Sequence, residues 1–132
     1  MSASDSPYSD IIQHASSEFN VPADWIAAVI STESAWNPDA YASGEDSYGL
    51  MQVRYVTAKG LGFSGDANEL FDPDLNIHLG TKLLGQLRQH YGEDVARVYS
   101  AYNSGDPDAY KTSKEVAQHV QNFLDNYRSI TT

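Results

Sequence analysis

Apolar residues recur at helical spacing along most of this 132-residue chain, and proline or glycine interrupts each run before it becomes long. Such recurrence buries one face of a helix, whereas a half-buried strand needs alternation with period two, and no stretch here alternates convincingly. Ser6-Pro7 is a helix start, with proline at the first helical position, and Ile11, Ile12, Ala15 and Phe19 follow on one face. Val21-Pro22 opens a second helix, whose stripe is Ile26, Val29, Ile30 and then Glu33; Pro38 bars it from running much further. A short helix is expected over 53–59, closed by Gly60. Leu75, Leu79, Leu83 and Leu87 share one face of the clearest helix, ended by Gly92. Val95, Val98, Tyr99 and Tyr102 mark another, which must stop near Gly105 and Pro107. The last is expected over 114–127, with Val116, Val120, Phe123, Leu124 and Tyr127 on one side.

Residues 37–48 change to Asp, Ser, Gly and Tyr without helical period, and residues 60–74 are again loop. The class is therefore mainly α, with at most a small β-hairpin around residues 41–53. The length suits one domain over 1–132, with its core at about 7–128 and frayed ends at 1–6 and 129–132. Hydrophobic residues make up 41% and charged residues 20%, enough apolar surface for a real core.

The formal charge of −10 argues against nucleic acid and against docking on anionic membranes, since both need a basic footprint. With no cysteine, disulfides, thiolate zinc sites and cysteine nucleophiles are excluded. The N-terminal segment has neither a basic region nor an apolar one, so no signal peptide is expected. The longest apolar run covers only residues 25–30, so no membrane insertion is expected, and a soluble monomer is.

Three short segments bear polar groups where the pattern leads towards an interior. Glu33 continues the apolar stripe of its helix, and a desolvated carboxyl there keeps its proton towards neutral pH, as a general acid must. Gly49-Leu50-Met51-Gln52-Val53 follows a polar loop; glycine lets backbone approach a ligand, and Gln52 can both donate and accept. In Ala101-Tyr102-Asn103-Ser104-Gly105, Tyr102 lies on the inward face of its helix and needs a partner for its hydroxyl. Each piece alone also fits an ordinary role: a solvent-facing helix-end glutamate, a turn, and a core tyrosine before a glycine cap.

Taken together, Glu33-Ser34, Gly49-Leu50-Met51-Gln52 and Ala101-Tyr102-Asn103-Ser104-Gly105 resemble the soluble lytic transglycosylases and, behind them, the goose-type lysozymes. The resemblance spans about residues 20–128, including Asp72-Pro73, Asn76-Ile77 and Leu79-Gly80. It implies a lysozyme-like helical domain with a glycan-binding cleft, Glu33 as catalytic acid/base, and Ser34, Met51, Gln52, Tyr102 and Asn103 at the substrate. The implied reaction cleaves the MurNAc–GlcNAc β-1,4 bond of peptidoglycan with formation of 1,6-anhydro-MurNAc. One carboxylate suffices for it, where most glycosidases need two. Three departures stand out. Ser104 replaces the usual alanine, His119-Val120 aligns with a Tyr-Val step of the last helix, and Glu45 and Asp46 precede the second motif.

Glu45 or Asp46 as a second carboxylate is the basis of an alternative, a muramidase that hydrolyses the same bond. A further alternative is a non-catalytic glycan-binding or virion structural domain. A cysteine-free catalytic domain of this kind suits a phage lysis enzyme or a virion-borne one, acting on the wall from the periplasm. The Gly60–Gly65 glycines match a dinucleotide fingerprint but follow no strand, and Asp72-Pro73-Asp74-Leu75-Asn76 lacks the glycine and glutamate of a calcium loop. His14, His78, His90 and His119 have no paired-ligand spacing, so neither a metal nor any other cofactor is expected.

Overall fold

A computed structural model describes residues 1–131. The chain runs α1 (Ser9–Phe19), α2 (Ala23–Ser34), β1 (Tyr41–Ala42), β2 (Ser47–Tyr48), β3 (Val53–Arg54), α3 (Tyr55–Gly60), α4 (Pro73–Tyr91), α5 (Val95–Ser104) and α6 (Lys114–Thr131). Two 3-10 turns, Ala67–Phe71 and Ala109–Lys111, lead into α4 and α6. The mainly α class of the sequence reading holds. No helix among the described residues is long and apolar enough to cross a membrane.

The centre is α2, which packs chiefly against α6 and also against α1. Every residue from Trp25 to Ile30 is buried, so this helix is covered all round rather than on one stripe. Ala27 and Ala28 make that possible, because they bring no bulk to the side where polar residues would otherwise stand. Pro22 caps the start with extended backbone. At the other end Ala35 and Trp36 both take left-handed conformations, at φ 50° and 66°. That costs about 1–2 kcal/mol for each non-glycine residue. The Trp36 indole holds the turn by donating to Ser31 Oγ at 2.9 Å.

The first helix begins at Ser9 rather than at Pro7. Ser6 is engaged in a local turn: its hydroxyl donates to the Ala3 carbonyl at 2.9 Å and accepts the Tyr8 N–H. Ala3 and Ser6 are buried, so the segment expected to fray is fastened instead. At the far end α6 continues beyond Tyr127 to Thr131, with no breaker to stop it and Ile130 against the core. By contrast, α4 begins as its sequence dictates, with Pro73 in the first turn and Asp72 accepting the Leu75 N–H at 3.0 Å.

The sheet is antiparallel in order β1-β2-β3, with Tyr41 opposite Tyr48 and Ser47 opposite Arg54. It has one strand more than a hairpin. Val53 and Arg54, expected to open the short helix, pair with β2 instead, and α3 starts at Tyr55. The turn into β3 is made by Gln52 at φ 50°.

Candidate active site

Glu33 stands in the last turn of α2, partly buried, at the wall of an open cleft of about 700 Å³. Burial pushes its carboxyl up to about 7. The nearby Glu45 charge acts in the same direction, while a hydrogen bond from Tyr99 and the charge of Arg54 oppose it. The bond from Tyr99 Oη to Glu33 Oε2 is 3.1 Å long. Tyr99 is 1% exposed and stacks on Phe123 with ring centroids 4.4 Å apart, and on Tyr102 at 6.3 Å. Burial and the Glu33 charge push the Tyr99 hydroxyl well above the ordinary phenol range. It therefore stays a donor.

The second motif is a buried loop hung from one side chain of α4. Asn76 is fully buried and accepts the Met51 N–H at 2.8 Å. Its amide donates to the carbonyls of Tyr48 at 2.7 Å and Leu70 at 2.8 Å. Gly49, at φ 75°, passes so close that a Cβ there would stand 2.6 Å from Asn76 Nδ2. Gln52 then turns into the cleft, with its amide nitrogen on the carbonyls of Ala40 and Gly49, both at 3.0 Å.

Met51 needs a correction. The sequence reading put it at the substrate, but its side chain is fully buried against Gly80 and does not line the cleft. The motif is drawn down onto α4 by Asn76, so Met51 points under the loop. Its carbonyl accepts the Tyr102 hydroxyl at 2.6 Å, which joins the second and third motifs. Tyr102 and Asn103 do line the cleft.

Ser34 does not line it; its hydroxyl donates to the Ile30 carbonyl at 3.1 Å. Ser104 lines the rim and donates to the Ser100 carbonyl at 2.7 Å, a bond that alanine there would lack. His119 is not among the lining residues. The two loop carboxylates part company. Glu45 lines the cleft and meets Arg54 at 3.4 Å, whereas Asp46 accepts the Tyr48 hydroxyl at 2.5 Å and the Tyr41 hydroxyl at 3.3 Å, outside the cleft lining.

Tyr99 and Arg54 are the residues that sequence reasoning passed over. The signal for Tyr99 was present: it stands three residues before Tyr102, on the same helical face. Arg54 carried none, because its place in the cleft depends on the third strand.

The chain matches the family described as "Transglycosylase SLT domain" over residues 10–123. It is 33% identical to the membrane-bound lytic murein transglycosylase C of Photorhabdus laumondii, over 95% of this chain and 40% of that protein. It is 38% identical to a transglycosylase of Enterobacteria phage PRD1, over 73% of this chain and 34% of the phage protein. With the soluble lytic murein transglycosylase of Escherichia coli K12 it shares 32% identity, over 74% and 16% of the two chains. It therefore spans well under half the length of each of these relatives. Among solved structures, the 70 kDa soluble lytic transglycosylase of Escherichia coli superposes with a TM-score of 0.78 at 25% identity, over 94% of this chain and 24% of that one. The lytic transglycosylase Slt of Pseudomonas aeruginosa, solved as an inactive mutant, gives 0.80 at 24% identity over 92% and 23%, a likeness of fold. By sequence over most of its length, and by fold, this chain belongs to the transglycosylase SLT domain family.

Proposed function

We propose that this chain cleaves the β-1,4 bond between MurNAc and GlcNAc in peptidoglycan and closes the muramic sugar to its 1,6-anhydro form. The observation that carries the reading is the Glu33 carboxyl at the cleft wall, held up to about 7 by burial and hydrogen-bonded by a phenol. In this scheme Glu33 gives its proton to the glycosidic oxygen as the C1–O bond breaks. The 2-acetamido carbonyl stabilises the cationic C1. The C6 hydroxyl oxygen then bonds to C1 and returns its proton to the Glu33 carboxylate. The GlcNAc leaves with a free 4-hydroxyl, and no water is consumed.

Gln52, Tyr102 and Asn103, which line the cleft, hold the sugar in this reading. The whole chain acts as one catalytic unit in this reading, and the unit works as a monomer. The cell wall is its place of action, a reading supported by relatives named for murein. Delivery by a phage lysis system or a virion is supported by the phage relative.

A specific observation favours one second reading. Glu45 lines the same cleft, so it is the residue that would position a water and turn the outcome to hydrolysis. The experiment is a digest of purified peptidoglycan by wild type and by Glu33→Gln, read by mass spectrometry. Anhydromuropeptides from the wild type alone are expected. Reducing muropeptides would move the chain to the muramidases, and full lysis by Glu33→Gln would remove Glu33 from its role. No product from either protein would leave a binding or structural domain.

A further inference from the structure

The chain has eight lysines and arginines, and among the described residues Arg54 is the one that lines the cleft. It stands exposed on β3, opposite Ser47. Its surroundings are acidic: Glu33 and Glu45 share the same wall, and the whole chain carries −10. The contact with Glu45 is a single long one, Nη2 to Oε1 at 3.4 Å, between side chains 44% and 56% exposed. A guanidinium can offer two parallel N–H donors to a carboxylate, and such pairs close to about 2.7–2.9 Å. Glu45 takes one donor, at a distance where an exposed pair holds weakly.

A glycan backbone of GlcNAc and MurNAc rings is neutral and gives a cation nothing to pair with. The 3-O-lactyl group of MurNAc is different. Stripped of peptide it ends in a free carboxylate. With peptide attached its carboxyl is an amide, and the peptide brings carboxylates of its own. We infer that Arg54 receives a carboxylate of this muramic substituent, exchanging Glu45 for it, and so makes the enzyme selective for what the lactyl group carries. The inference rests on the peptidoglycan reading above and adds a specificity residue to it. The exchange is isocoulombic, one carboxylate for another, so the cleft does not have to desolvate an unpaired charge to make it. Glu45 serves as the stand-in partner that keeps the guanidinium satisfied when no strand is bound.

The test compares wild type with Arg54→Gln on three strands: peptide-bearing glycan, glycan stripped by an amidase so that the lactyl carboxylates are free, and peptide-bearing glycan whose carboxylates have been converted to amides. Arg54 is exposed, so matched thermal melts of the two proteins serve as the fold control. A charge-assisted bond at a partly exposed site predicts a loss of about tenfold in kcat/KM, carried by KM. If a peptide carboxylate is the ligand, that loss appears on the peptide-bearing strand and shrinks below about twofold on the amidated one. If the lactyl carboxylate is the ligand, the loss appears on the stripped strand alone. Equal losses on all three strands, or none on any, would overturn the inference. A wild type that releases nothing from any strand removes the transglycosylase reading itself, an outcome visible without the variant.

Discussion

At the scale of single residues, the chemistry proposed here turns on how Glu33 holds its proton. Tyr99 donates to Oε2, so the proton of the neutral acid resides on Oε1, and the same bond steadies the carboxylate once the proton has left. Because that bond lowers the Glu33 pKa, Tyr99→Phe is expected to move the alkaline limb of kcat/KM upward from about 7 and to lower kcat by roughly tenfold. The ring stack survives the change, so thermal stability should hardly move; an unshifted pH profile would remove Tyr99 from the machinery. Glu33 also links activity to stability. Its proton is held up to about 7 in the fold but released near 4.5 when unfolded, so the unfolded chain binds fewer protons between those values and stability falls as pH rises through them. Glu33→Gln removes that penalty. The variant is expected to be more stable than wild type above pH 7, by on the order of 3 kcal/mol, and so to melt higher, with the gap closing towards pH 4.5. Equal melting temperatures at pH 8 would mean that Glu33 is not desolvated. The glutamate, the glutamine and the tyrosine–asparagine pair were all legible as motif residues. Met51 was legible only as a member of its motif, because a side chain's direction in a loop is set by what the loop hangs from, and Asn76 lies 25 residues away.

Among the elements, helix periodicity was readable because it is a local property, and the helices came close to their expected bounds. What periodicity could not give was the covering of α2 on all sides, which depends on how α6 and α1 pack around it, or the third strand, which depends on pairing with β2. The Leu stripe of α4 packs on the core, with Leu79 and Leu83 also at the cleft, while Asn76, Gly80 and Thr81 carry the buried contact with the second motif. Small residues leave no hydrophobic signal, although they decide how near two elements come. Gly80 shows the consequence. A Cβ there would lie 2.6 Å from Met51 Sδ and 2.9 Å from Met51 Cβ; the sulfur could swing aside, but the Cβ moves only with the loop. Alanine gains up to about 1 kcal/mol in helix propensity over glycine, while overpacking costs about 1–3 kcal/mol. Gly80→Ala should therefore lower the melting temperature and also reduce kcat, since the displaced loop carries Gln52 and the carbonyl that holds Tyr102. A calorimetric scan with a parallel rate measurement checks both, and an unchanged or raised melting temperature would mean that the loop yields freely.

For the molecule as a whole, the net charge of −10 sets how it would meet the anionic wall that the proposed reaction requires. Wall polyanions repel such a chain over the Debye length, which shrinks from about 30 Å at 0.01 M salt to about 8 Å at 0.15 M. Within the cleft the balance differs, because Arg54 offsets one of the two carboxylates there. Long-range repulsion slows the encounter and short-range pairing acts only after it. Added salt should therefore act first on the approach, raising kcat/KM on intact walls several-fold across that range. At higher salt the remaining gain from screening is small, and weakening of the Arg54 contact should bring the rate down again, giving a maximum. Arg54→Gln removes the second limb, so its profile should rise to a plateau. Initial rates on purified walls between about 0.01 and 1 M sodium chloride would test the shape, with the wild type and the variant in parallel. A flat wild-type profile would mean that net charge does not govern the encounter. A falling limb shared by both proteins would assign it to the substrate rather than to the cleft.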